Sequence, residues 1–95
     1  MKSQASGLEE LRAKIDDIDR RILELLAQRV ETVMRVGEYK RERGLAVYDP
    51  ERERSMLERL GQAAPIPLDD ETVRHIFERV IDECRRIEQR HVRRG

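Results

Sequence analysis

The chain has 95 residues, with 20 lysines and arginines against 20 aspartates and glutamates, so it is one small domain with no overall pull towards nucleic acid or an anionic membrane. Two tyrosines, one phenylalanine and no tryptophan leave little to stack on bases, and the single Cys84 excludes an internal disulfide framework. No apolar run approaches the roughly 20 residues that cross a bilayer, and the opening "MKSQASG" lacks the apolar segment of a secretory signal, which predicts a cytoplasmic protein.

Residues 1–7 are small and polar and read as a disordered leader, with the folded domain over 8–92. From Leu8 to about Arg43 there is no proline and only Gly37, while Leu8, Leu11, Ile15, Ile18, Ile22, Leu25, Leu26, Val33 and Val36 recur at three- and four-residue spacing. That predicts one helix of about 35 residues, roughly 52 Å long at 1.5 Å per residue. Gly44 ends it, and "LAVYD" forms a short loop. Asp49 is placed to cap a second helix and Pro50 to occupy its first turn, with Gly61 expected to stop that helix after Leu60. "GQAAPIP" reads as a linker. Asp69 or Asp70 caps a third helix reaching about Val92, with an apolar face of Val73, Ile76, Phe77, Val80, Ile81, Cys84 and Ile87. The expected class is all-α: long helix, short helix, medium helix. A helix of about 52 Å overhangs a globule whose radius of gyration should be near 13 Å, so its apolar stripe needs a second copy or a coiled-coil partner to cover it.

The long helix also carries cations where hydrocarbon is expected. In columns seven residues apart, Arg29 follows Leu8, Ile15 and Ile22, Lys40 follows Leu26 and Val33, and Arg12 heads that same column. Lys14, Arg21, Arg35 and Arg41 fall on other columns and read as solvated. Each inward cation must snorkel, pair with an acid or meet an anion, because an unpaired buried charge is expensive. The other helices repeat the pattern: Glu88 lies on the line of Phe77, Ile81 and Cys84, and Arg52 and Glu53 open the second helix. Polar groups from three helices, with cations in excess, point to a pocket for a small dianion. Arg12 and Arg29 are seventeen residues apart, about 25 Å along the axis, so one small molecule cannot bridge them within a chain. Antiparallel pairing of two long helices would bring Arg12 of one near Arg29 and Lys40 of the other.

Three stretches, "LRAKIDDIDRRILELLAQR", "VGEYKRE" and "YDPERERSMLERL", resemble in order and spacing the signature blocks of the all-helical (type II) class of chorismate mutases, a family also found fused to prephenate dehydratase or dehydrogenase domains. The resemblance covers nearly everything from Leu8 to Gln89. It implies an intertwined homodimer with shared active sites, serving aromatic amino acid biosynthesis, that rearranges the dicarboxylate chorismate to prephenate with no metal or other cofactor. By residue matching it implies that Arg12, borrowed from the partner subunit, works with Lys40 on the enolpyruvyl carboxylate, that Arg29 holds the ring carboxylate, and that Lys40 also donates to the ether oxygen. Glu53 and the backbone near Asp49 would face the ring hydroxyl, with Arg52 supporting them. Cys84 stands where many bacterial members place serine, and Glu88 where they often use glutamine and other members use glutamate. An ionised Glu88 facing the ether oxygen would repel the charge that grows there, so it is expected to help only when protonated.

Three readings remain open at this level. Beside chorismate mutase stand a sister reaction in the same scaffold, either elimination of pyruvate from isochorismate or rearrangement of an amino analogue of chorismate, and a non-catalytic helical dimerisation module. Cys84, His75 and His91 form no recognisable metal motif, and the basic tail "RRIEQRHVRRG" reads as a solvated helix end with cations favourable near its C-terminus.

Overall fold

The computed structural model describes residues 4–94, which form three helices, α1 (Gln4–Glu42), α2 (Pro50–Gln62) and α3 (Asp70–Arg94), and no strand among the described residues. α1 starts at Gln4, four residues before the expected boundary. Nothing in "QASG" forbids it, since Gln, Ala and Ser tolerate helix and a single Gly7 costs only about 1 kcal/mol. The rest of the expected leader, residues 1–3, lies outside the described residues.

α1 ends as its glycine dictates. Gly44 has φ +67°, its N–H donates to Arg41 O at 3.2 Å, and Leu45 N–H reaches back to Lys40 O at 2.8 Å, the paired bonds of a Schellman cap. At the start of α2, Asp49 Oδ1 accepts from Arg52 N–H at 3.1 Å, and Pro50 occupies the first turn, where it loses no helical bond. At α3, Asp69 Oδ1 accepts from Thr72 N–H at 2.7 Å. Hydrogen bonds from the Thr72 side chain and then its backbone hold the Asp69 carboxyl below its ordinary value.

Gly61 does not stop α2, which continues to Gln62. The glycine is buried, and a Cβ there would run into the Asp70 carboxylate and lie 2.9 Å from Arg74 Nε. Its lack of a side chain leaves room against α2 for the Asp70 and Arg74 side chains from the start of α3. Helix termination falls instead at Ala63, whose N–H bonds Arg59 O and Leu60 O.

α3 packs against both other helices, whose backbones stay apart. Along α1, contacts run from Arg29 against Cys84 to Arg41 against Glu88 and Glu38 against His91, so α3 lies on the C-terminal part of α1 in the same chain sense. Val73, Ile81 and Cys84 are the buried apolar side chains among the described residues. The stripe Leu8, Leu11, Ile15, Ile18, Ile22 and Leu25 remains 47–63% exposed. The radius of gyration is 18.0 Å and the long dimension 65 Å, against near 13 Å expected for a compact chain of about 100 residues. The elongation follows from α1 running on past anything its own chain can lay against it.

Candidate active site

Where α1 and α2 stand apart they leave a cavity of about 510 Å³, closed on one side by α3 and at its end by the loop after Gly44. Val33, Val36, Val47, Met56 and Ile81 supply hydrocarbon walls. The charged lining comes from all three helices: Arg29, Lys40 and Arg41 from α1, Asp49, Arg52 and Glu53 from the cap and first turn of α2, Arg85 and Glu88 from α3. Five cations face three carboxylates, an excess of two positive charges in a partly desolvated space.

Those carboxylates are already engaged. Glu88, 7% exposed, accepts from Arg41 Nη1 at 2.8 Å. Glu53 accepts from Arg85 Nη2, and that guanidinium also lies 4.9 Å from the centre of the Tyr48 ring. The Glu53 bond, ahead of every other influence, holds Arg85 more firmly protonated than usual. Asp49 is occupied in capping α2. Arg29, Lys40 and Arg52 therefore have no carboxylate partner among the described residues.

The positions of these three decide what the cavity accepts. Arg29 rests its donors on sulfur, Nη1 on Cys84 Sγ at 3.2 Å and Nη2 on Met56 Sδ at 3.7 Å. Both are weak acceptors that an incoming carboxylate would outcompete. Lys40 Nζ reaches only the carbonyl of Val47, at 3.5 Å. Arg52 is exposed at the mouth. The arrangement suits a small molecule with two negative groups, one for the planar fork of Arg29 and one near Lys40.

Seven of the eight residues singled out from sequence line this one cavity: Arg29, Lys40, Asp49, Arg52, Glu53, Cys84 and Glu88. The eighth, Arg12, is exposed and lies 28 residues before Lys40, about 42 Å along the helix axis. Two lining arginines were not anticipated. Arg41 belongs to a column read as solvated, yet its long stem swings round α1 to Glu88. A signal for it existed: Gly37 is one turn away, and a Cβ there would lie 2.6 Å from Glu88 Oε1 and 3.2 Å from Arg41 Nη1, so the glycine marks where a polar pair presses on α1. Arg85 had no comparable signal, because no glycine lies beside its pair with Glu53.

The described residues contain no cluster of His, Cys, Asp and Glu able to hold a metal ion, and no helix long and apolar enough to cross a membrane. His75 and His91 sit at the surface within 4.0 Å and 3.9 Å of Glu71 and Glu38.

Fold and cavity together define an all-helical protein with a cation-lined site for a small anion. A family model for chorismate mutase type II matches residues 11–89, and the chain belongs to that family. It is 42% identical over 77 residues to the T-protein of Enterobacter agglomerans, covering 80% of this chain and 21% of that one. It is 33% identical over 86 residues to the chorismate mutase of Methanocaldococcus jannaschii, covering 90% and 87%. Among solved structures, chorismate mutase (form II) from Thermus thermophilus superposes with a TM-score of 0.83 at 37% identity, over 88% of this chain and 96% of that one. The chain thus spans about a fifth of the T-protein but most of the two chorismate mutases.

Proposed function

We propose that this protein is a chorismate mutase, rearranging chorismate to prephenate without metal, cofactor or covalent intermediate, in the cytoplasm and in the service of aromatic amino acid biosynthesis. The observation that carries the reading is the trio Arg29, Lys40 and Arg52, cations that line one cavity with no carboxylate partner among the described residues. A family relationship supplies the substrate: chorismate is small, doubly negative and needs its two carboxylates fixed apart.

The reaction breaks a C–O ether bond and makes a C–C bond within one molecule, so no nucleophile or general base is required. The protein must hold the enolpyruvyl arm over the ring and stabilise negative charge growing on the ether oxygen. Arg29, released from Cys84 and Met56, takes the ring carboxylate in its fork. Lys40 serves the enolpyruvyl carboxylate and the ether oxygen. Glu53, oriented by Arg85, and the backbone near Asp49 receive the ring hydroxyl, with Arg52 at the mouth.

One cation is missing from this account in a single chain. A homodimer with its long helices antiparallel would cover the bare stripe from Leu8 to Leu25 and bring Arg12 of the partner subunit to the enolpyruvyl carboxylate beside Lys40. Each site would then be assembled from two chains. The decisive experiment follows chorismate absorbance with identification of the product by mass, against isochorismate and the amino analogue in parallel. Conversion of chorismate to prephenate is expected, with the other two compounds turned over far more slowly. Absence of turnover with chorismate, or faster release of pyruvate from isochorismate, would overturn the proposal.

A further inference from the structure

The Glu88 carboxylate sits in a slot on α1. Its oxygen Oε1 receives Arg41 Nη1 at 2.8 Å, and the same oxygen occupies the space that a side chain on Gly37 would need, 2.6 Å from where a Cβ would stand. The Glu88 side chain keeps only 10% of its exposure, that of Arg41 33%, so the pair faces the cavity from a mostly buried seat. Lys40, the adjacent residue, directs its ammonium to Val47 O and not to Glu88.

Those three facts address a conflict in the chemistry. A bare carboxylate at this end of the cavity would oppose negative charge forming on the ether oxygen, and would also draw the nearest ammonium to itself. Lys40 is that ammonium. An arginine bound to Glu88 removes both difficulties, because it supplies the counter-charge without using the lysine.

We propose that Arg41 is a positioning residue of the active site: it pins and neutralises the Glu88 carboxylate in the Gly37 slot, leaving Lys40 free for the substrate. The inference rests on the chorismate rearrangement proposed above. It gives the Glu88 carboxyl a cationic partner at 2.8 Å, and it explains why an acid is tolerated where an amide would otherwise serve. Gly37 joins Arg41 in this role, since any side chain there would push the carboxylate out of its seat.

Steady-state kinetics on the full chain test it, with Arg41→Met, Arg41→Lys, Glu88→Gln and the Arg41→Met/Glu88→Gln double variant. Arg41→Met should lower kcat about 100-fold, the scale of losing one organised charge-stabilising group, with KM moved less than about threefold. Arg41→Lys should restore most of the loss. The double variant should return to within a few-fold of Glu88→Gln alone, because removing the carboxylate frees Lys40 again; a merely structural arginine would show no such recovery. Wild-type kcat in Arg41→Met, or a double variant as slow as the single one, would overturn the proposal. Should Arg41→Met fail to fold by circular dichroism, Gly37→Ala decides: kcat down more than about tenfold at nearly constant KM supports the role, and unchanged kcat refutes it. An inactive wild-type chain would remove the functional reading and this inference together, whereas an active one indifferent to Arg41 and Gly37 would remove this inference alone.

Discussion

The two stretches of α1 present the same sequence rhythm and meet opposite surroundings. From Arg29 to Lys40 the helix lies on α3, and its inward cations turn to a cavity where sulfur and carbonyl atoms are their resting partners. From Leu8 to Leu25 the apolar stripe on that face is about half exposed, and Arg12, in the column of Lys40, stands outside the cavity that Lys40 lines. A continuous helix propagates its face along its whole length, but packing is supplied only where another element arrives. The first stretch meets α3 of its own chain, and the proposed second copy would cover the second stretch and bring its own Arg12 to the first. On that reading the unclaimed burial, roughly 1 kcal/mol for each half-exposed Leu or Ile, and the distant arginine are two signs of one partner.

The largest effect should come from the packed stretch. Lys40→Ala is expected to reduce kcat by a factor of about 100 to 1,000 while changing KM far less, because its contact strengthens as the ether bond breaks. A raised KM with unchanged kcat would assign Lys40 to ground-state binding alone.

Next in size is a test that joins the two stretches. Arg12→Ala and Lys40→Ala chains should each be nearly inactive, yet mixed and refolded together they should recover roughly a quarter of wild-type turnover, since random pairing makes half the dimers mixed and each of those has one intact site. Failure to recover would mean that Arg12 and Lys40 do not meet across chains. A charge in the bare stripe should act less selectively. Ile18→Asp is expected to shift the protein to monomer in analytical ultracentrifugation and to lower activity in proportion, because a carboxylate cannot be buried there unpaired. A stable, active dimer would place the interface elsewhere.

The smallest effect sharpens the contrast with surface capping, far from both stretches. The Asp69 carboxyl has a folded value below its ordinary 3.8, so its contribution is present above that value and is lost as pH falls through the folded one. The Tm gap between wild type and Asp69→Ala, a few degrees at most, should therefore close as pH falls from about 5 to about 2. A gap that stays constant would mean that the cap works without its charge.

Local signals made much of this legible in advance. Gly44, Asp49 followed by Pro50, and Asp69 each act within one helical turn, and the structure puts the cap bonds at those residues. Periodicity along α1 and α3 likewise placed Arg29, Lys40, Cys84 and Glu88 on inward lines, and these meet in one cavity. Gly61 was misread because a glycine signals either a helix end or a close approach, and only the arrival of Asp70 and Arg74 chooses between them. Arg41 was assigned to solvent because columns describe where a side chain leaves the helix, not where an arginine of that length finishes.

What the sequence alone determined is a matter of periodicity and termini: three helices, their order, their apolar faces and the presence of misplaced charge, all properties of residues within a few positions of one another. Tertiary structure alone decided which charges pair, Arg41 with Glu88 and Arg85 with Glu53, and hence which cavity cations are left without a carboxylate among the described residues. The reason is that ion pairs across helices depend on side-chain reach and on the distance between axes, and neither is encoded in the spacing along any single helix.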